Sequence, residues 1–263
     1  MREERVQIER SGALATLWLN RPEKHNAFDE HLIAAITDGL RALGEDAEAR
    51  VVVLAGRGKS FSAGGDLDWM RRAAGYGYEQ NLADASALAT MLRTLAELPK
   101  PTIARVHGAA LGGGMGLTCA CDIAVASEAA VFATSEVKFG LIPATIGPYV
   151  LRAIGARQCQ RYFLSAERID AARAREIGLV HEVVGGAALD ARIAEIADAL
   201  AAGGPQAQAR AKRFITELSG RSIDDALIAE TADAIATIRA TDEAREGLSA
   251  FLEKRAAAWA RAR

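Results

Sequence analysis

Cysteine is scarce, and the three present, Cys119, Cys121 and Cys159, form an odd set without the spacing of a disulfide framework. Residues two apart on a helix point in different directions, and no His/Cys pair lies near Cys119 and Cys121 to complete a ligand set. Thiols packed as small apolar side chains are expected there, and no metal site. No apolar run approaches the ~20 residues that span a bilayer, which argues against membrane insertion. The opening stretch MREERVQIER has no apolar core of a secretory signal, so a cytoplasmic location is expected. An excess of one charge sign is missing too: 32 basic residues face 34 acidic ones, for a formal net charge of −2. Without a basic or aromatic-interleaved stripe, nucleic acid is not an expected partner. A local basic patch for an anionic ligand remains compatible with that balance.

What is present reads as an α/β protein. The 263 residues, half of them apolar, suffice for one large domain or a domain with an appendage. Arg5 to Arg10 and Leu14 to Leu19 flank the turn signal Ser11-Gly12, which predicts an opening hairpin. Asp29 then caps an amphipathic helix running to about Leu43. Val51–Ala55 and Thr102–Val106 are β-branched runs, each followed by a glycine-containing loop and a helical stretch. Further strands are expected at Ile123–Ala126 and Val180–Val184, with helices near Tyr149–Ile154 and Gln158–Leu164. Beyond about Leu189 the chain becomes Ala-rich and helical without strand candidates. The expected division is therefore an α/β body at 1–188 and a helical region at 189–263. Short helices of this kind need a neighbour over their apolar faces, which implies self-association.

Three glycine-containing loops could carry chemistry. GRGKS at Gly56 to Ser60 follows a strand, but a phosphate loop needs a glycine at position 53, which is Val53, so a solvated loop with Lys59 exposed is expected. FSAGGDLD, from Phe61 to Asp68, combines paired glycines with an aspartate at a helix mouth, a pattern that also suits a plain turn. ALGGGMGLTCACD, from Ala109 to Asp122, places four glycines within five positions. If these last two loops lie side by side, N–H groups of Gly65 and Gly113 can converge on one oxygen, reinforced by the helix beginning near Gly114. Two such donors make an oxyanion hole. A phosphate cradle is the rival, without the basic residue that phosphate loops carry close behind their glycines.

Asn20-Arg-Pro-Glu-Lys-His-Asn-Ala27, FSAGGDL, VHGAALGGGMGLTCACDIAVAS, SEVKFGLIP, the segment Ala174 to Val180 and EGLSAFLEKR resemble, in order and spacing, the enoyl-CoA hydratase/isomerase (crotonase) superfamily over essentially the whole chain. The resemblance implies a spiral of β-β-α turns with two sheets, a C-terminal helical region used for trimerisation, and an acyl-CoA thioester as substrate. Coenzyme A belongs to that substrate, and no separate cofactor is implied. The thioester oxygen would be held by the N–H groups of Gly65 and Gly113. The coenzyme A pocket would be lined by Lys24, His25, Ala63, Gly65, Asp66 and Leu67, with Lys254 reaching it from an adjacent subunit of a trimer or a dimer of trimers.

Hydratases of this superfamily usually carry two glutamates. Glu136 supplies one, whereas Gly116 stands at the other. The expectation is that Gly116 leaves room for water or a bulky acyl group, and that one carboxylate serves both proton transfers. Lys138, two residues beyond Glu136, would share its face if the segment is extended and would favour the carboxylate. GGDLDWMRRAAGY, SEVKFGLIPATIGPYVLRAIG and RYFLSAERIDAARAREIGLVHEVV resemble the 3-methylglutaconyl-CoA and isohexenylglutaconyl-CoA hydratases. Such substrates carry a second carboxylate, for which Arg71, Arg72 and Lys138 are the candidate cations; a solvated helix face is the alternative for the arginines. Trp69 and Tyr149 could line the acyl pocket or pack in the core. His107 is expected to be a packing or hydrogen-bonding residue rather than a base. A Δ3,Δ2-enoyl-CoA isomerase, a decarboxylase or thioesterase on the same scaffold, and a non-catalytic acyl-CoA binder remain alternatives.

Overall fold

In the computed structural model, which describes residues 4–260, Ser11 and Gly12 turn the chain between antiparallel strands β1 (Val6–Ser11) and β2 (Leu14–Leu19). The first three and last three residues, included in the two stretches drawn above, lie outside the described residues. Strand β2 runs parallel to β3 (Val51–Gly56), which is followed across the sheet by β4 (Thr102–Val106), β6 (Ile123–Ser127) and β9 (Glu182–Val184). All these neighbours are parallel. A parallel sheet is covered on both faces, and β3, Val-Val-Val-Leu-Ala-Gly, is buried at every residue.

Alternate side chains of β3 feed two cores. Val52 and Leu54 join the larger one, with Leu32, Ile33, Ile36 and Leu40 of α1 (Glu30–Glu45) and Met91, Leu92 and Leu95 of α3 (Tyr78–Ala96). Val51, Val53 and Ala55 join the smaller, against Leu189, Ile193 and Ala197 of α7 (Leu189–Ala201). Helix α1 starts where expected, because the Asp29 side chain accepts from the N–H of Leu32 at 2.8 Å. The paired helices expected near Tyr149 and Gln158 form α5 (Gly147–Ser165), interrupted at Gly155, whose φ of 72° and ψ of 163° are not helical.

A second sheet, in the order β5 (Ala109–Leu111), β7 (Val131–Ala133), β8 (Ile169–Asp170), has strands of two or three residues. Strands this short leave no hydrophobic alternation to read in the sequence. Between these elements lie α2 (Leu67–Ala73), α4 (Gly113–Ala120) and α6 (Ala171–Glu176). The chain ends in α8 (Pro205–Leu218), α9 (Asp225–Arg239) and α10 (Asp242–Leu252). Lys212 of α8 ties this region to the body through Asp122 at 2.8 Å, and Arg50 donates to the carbonyl of Gly203 at 2.6 Å. Leu248, Phe251 and Leu252 leave an apolar end of α10 exposed.

Candidate active site

Three chain segments meet because successive parallel strands cross from the first sheet to the second in step. Strands β3 and β4 are neighbours, and their outgoing segments stay paired: Ser62 forms a parallel bridge with Ala110, donating to Ala109 O at 3.0 Å and accepting from Leu111 N at 2.9 Å. Two residues beyond that bridge, both chains turn at a glycine. Gly64 has φ 88° and Gly112 φ 48°, a region where a side chain is strained. A β-carbon at Gly64 would stand 3.0 Å from the carbonyl oxygen of Leu111, so the two turns touch. On the far side of β5, Leu111 pairs with Ala133 of β7, and Gly112 donates to Ala133 O at 2.8 Å. Three residues past Ala133 comes Glu136.

The structure thus brings Gly65, Gly113 and Glu136 together. The bridge between Phe28 and Gly65 uses the carbonyl of Gly64 and the N–H of Asp66, and passes over the N–H of Gly65. Gly113 opens α4, so its N–H has no acceptor within the helix. Glu136 Oε1 lies 3.3 Å from where a β-carbon of Gly112 would be. Its Oε2 is buried without a hydrogen-bond partner among the described residues. Burial pushes the Glu136 carboxyl up from its ordinary pKa, only partly offset by its own backbone N–H.

Two expectations need correction here. The Glu136 segment is a 3-10 helix (Glu136–Phe139), not an extended strand, so residues two apart leave on different sides. Lys138 is exposed while Glu136 is half-buried, and the carboxyl is shifted upward by burial rather than held down by a lysine. Gly116 leaves no room for water or an acyl group. It is buried, and a β-carbon there would stand 2.4 Å from Ile146 Cγ2 and 2.9 Å from Ile146 Cβ. The volume in front of Gly116 already holds a side chain that is itself 2% exposed.

The early loop reaches the first glycine turn, since Ala63 donates to the carbonyl of His25 at 2.9 Å. Lys24 and His25 are exposed; Lys24 pairs with Asp68 at 3.2 Å, and His25 Nδ1 lies 3.1 Å from Ser60 Oγ. Leu67 is 68% exposed beside the turn. The carboxylate of Asp66, by contrast, is 4% exposed and already committed. It accepts from the N–H groups of Asp68 and Trp69, capping α2, and pairs with Arg21 at 3.1 Å. Although burial alone would raise its pKa, the N–H groups of Trp69 and Asp68 and the guanidinium of Arg21 bring it below the usual carboxylate value.

Trp69 packs beside Gly65, 3.5 Å from its would-be β-carbon, and donates its indole N–H to Asp84 at 3.3 Å. Tyr149 is half-buried against the larger core. Arg71 pairs with Asp68 at 2.7 Å on an exposed helix face, and Arg72 pairs with Glu30 at 2.7 Å, so both take the solvated reading. Lys254 follows α10 with φ 54° and is exposed. His107 contacts the carbonyl of Gly58 at 2.9 Å, consistent with a hydrogen-bonding role. The three thiols are buried and free, with that of Cys119 pushed up to about 12 by desolvation. Among the described residues no group of His, Cys, Asp or Glu could hold a metal, and no helix is long and apolar enough to cross a membrane.

Sequence reasoning passed over Arg21, Phe28 and Ile146. Arg21 bridges the caps of two helices, 3.1 Å from both Asp29 and Asp66, and donates to the carbonyl of Ala27 at 2.7 Å. The ring of Phe28 lies where a Gly113 side chain would be, 2.3 Å from the would-be β-carbon. Arg21 lies in the quoted Asn20-to-Ala27 stretch and carried a signal that went unread, whereas Phe28 and Ile146 look in sequence like ordinary apolar residues.

Set beside known proteins, residues 9–262 match the family model described as Enoyl-CoA hydratase/isomerase. The crystal structure of an enoyl-CoA hydratase from Shewanella pealeana superposes with a TM-score of 0.95 at 44% identity, covering 98% of this chain and 97% of that one. A crotonyl-CoA hydratase of Syntrophomonas wolfei is 34% identical over 98% of each chain. A 4-chlorobenzoyl coenzyme A dehalogenase of an Arthrobacter species is 32% identical over 75% of this chain and 72% of its own.

Proposed function

Because the chain belongs to the enoyl-CoA hydratase/isomerase family, we propose that it adds water across the 2,3 double bond of an enoyl-CoA thioester. The observation that carries this reading is the half-buried carboxylate of Glu136, one oxygen unpartnered, set against two touching glycine turns. A thioester oxygen received by the N–H groups of Gly65 and Gly113 draws electron density from the conjugated double bond. The β carbon becomes electrophilic, and the enolate that forms on attack is stabilised where its charge develops; one donor of such a hole is typically worth ~10²–10³-fold in rate. Glu136 takes a proton from the attacking water and returns it to the α carbon, both transfers on one face. A carboxyl raised by burial suits a group that must both accept and release a proton.

The coenzyme A portion would run past Lys24, His25, Ala63 and Leu67, with Lys254 of an adjacent subunit meeting it in a trimer or a dimer of trimers. For the acyl group the proposal is a branched chain bearing a second carboxylate, of the 3-methylglutaconyl type. With Arg71 and Arg72 already paired to acidic neighbours, exposed Lys138 is the candidate cation left. Because it leaves the 3-10 turn on a different side from Glu136, it would meet that carboxylate at the outer end of the acyl chain and not beside the reacting carbons. Lys138→Met should raise KM for 3-methylglutaconyl-CoA about tenfold or more, from loss of a charge-assisted contact, and leave crotonyl-CoA kinetics unchanged.

A Δ3,Δ2-enoyl-CoA isomerase is the second reading, favoured by the same single carboxylate, which can carry a proton between the α and γ carbons unaided. Incubation with 3-methylglutaconyl-CoA, crotonyl-CoA and a 3-enoyl-CoA, with products resolved by mass spectrometry, separates the two. Hydroxyacyl-CoA is the expected product. Double-bond migration without any hydroxyacyl-CoA would overturn the hydratase reading.

A further inference from the structure

Gly116 sits one turn into α4, on the helix whose N-terminus faces Glu136. A side chain there would leave the helix directly into Ile146, which precedes α5, with Leu92 Cδ2 of α3 behind it at 3.6 Å. Ile146 is 2% exposed, and Leu92 is fully buried. The position is therefore occupied by hydrocarbon from another element rather than vacant, and the occupant cannot be read from residues near Gly116 in the chain.

We propose that Ile146 is the residue that holds this site to one carboxylate. By filling the volume in front of Gly116, it denies α4 the place from which a second acid would reach the substrate, and so sets which proton transfers the site can perform. The proposal rests on the enoyl-thioester reading. It makes Gly116 and Ile146 a coupled pair: an acid at 116 requires a smaller residue at 146, and a small residue at 146 alone opens a hole in the core.

The coupling has a sign that can be measured without substrate. Gly→Ala inside a helix ordinarily stabilises, because the glycine gives up more backbone freedom on folding. Here Gly116→Ala should lower Tm, since its methyl group meets Ile146 Cγ2 at 2.4 Å and Cβ at 2.9 Å. In an Ile146→Gly background the same change should raise Tm or leave it unchanged. If Ile146→Gly does not fold, Ile146→Ala replaces it, and because it removes the 2.4 Å contact but keeps the 2.9 Å one, the loss of Tm there should be smaller than with Ile146 in place. A Gly116→Ala protein as stable as wild type, or an equal loss of Tm in both backgrounds, would overturn the proposal.

A second measurement reads the chemistry. In an enzyme carrying Glu136→Gln, Gly116→Glu together with Ile146→Gly should restore crotonyl-CoA hydration at least ~10-fold over Glu136→Gln alone, a fraction of what a positioned acid/base contributes. Gly116→Glu with Ile146 retained should restore none. Equal rescue with Ile146 in place, or rescue in neither background, would remove Ile146 from control of the reaction. A wild-type chain that turns over no enoyl-CoA overturns the hydratase reading instead, and the melting temperatures still decide whether Ile146 holds the position.

Discussion

Glu136 is placed at a cost to the fold that its chemistry explains. Burial favours its protonated form, so its folded-state pKa lies above the unfolded one. Such a group contributes stability that is fully present below the unfolded pKa and lost as pH rises through the folded value. Glu136→Gln should therefore raise Tm at pH 7 to 8, with the gain vanishing at acidic pH where the wild-type carboxyl is protonated; scanning calorimetry across pH measures it. The same substitution should lower turnover ~10²–10⁴-fold. Wild-type activity that needs the ionised carboxylate should decline, as pH falls, at a value above the ordinary glutamate range.

Gly65 offers a cleaner test of the proposed oxyanion contact than Gly113, where Phe28 blocks any side chain. The atoms nearest to a β-carbon at Gly65 belong to the side chains of Met70 and Trp69, at 3.3 and 3.5 Å, and the Met70 side chain can give way. Gly65→Ala keeps the N–H and should keep most activity. Gly65→Pro removes it and should lower kcat ~10²–10³-fold, with circular dichroism and Tm used to separate loss of the donor from loss of the fold.

At the scale of elements, the site follows from register. The bridge of Ser62 with Ala110 and the pairing of Leu111 with Ala133 set the two glycine turns and Glu136 side by side. None of these three segments holds the geometry alone. Arg21 is the clasp between them and α1, since the caps of α1 and α2 both end on its guanidinium. Arg21→Met leaves Asp66, 4% exposed, without its cation. Loss of about 3 kcal/mol is expected, measurable as a lower urea midpoint. Arg21→Lys should recover little of it, because a point charge cannot span two carboxylates as a planar fork does.

For the whole molecule, Leu248, Phe251 and Leu252 leave an apolar patch exposed at the end of α10, which the proposed trimer or dimer of trimers would cover. Sedimentation should give a trimer or hexamer mass. Phe251→Asp should shift it toward the monomer while the circular dichroism of the helices persists.

The sequence by itself determined the longer elements, because β-branched runs such as Val51–Ala55 and the capped amphipathic helix after Asp29 carry their periodicity and end signals locally. It also determined the order of the glycine turns and the absence of an acid at position 116. Only the tertiary structure decided that Ile146 closes that position, that Lys138 and Glu136 part company on a 3-10 turn, and that Asp66 is committed to Arg21. Each of these depends on contacts between residues far apart in the chain or on a four-residue change of backbone, and neither leaves a periodic trace in the sequence.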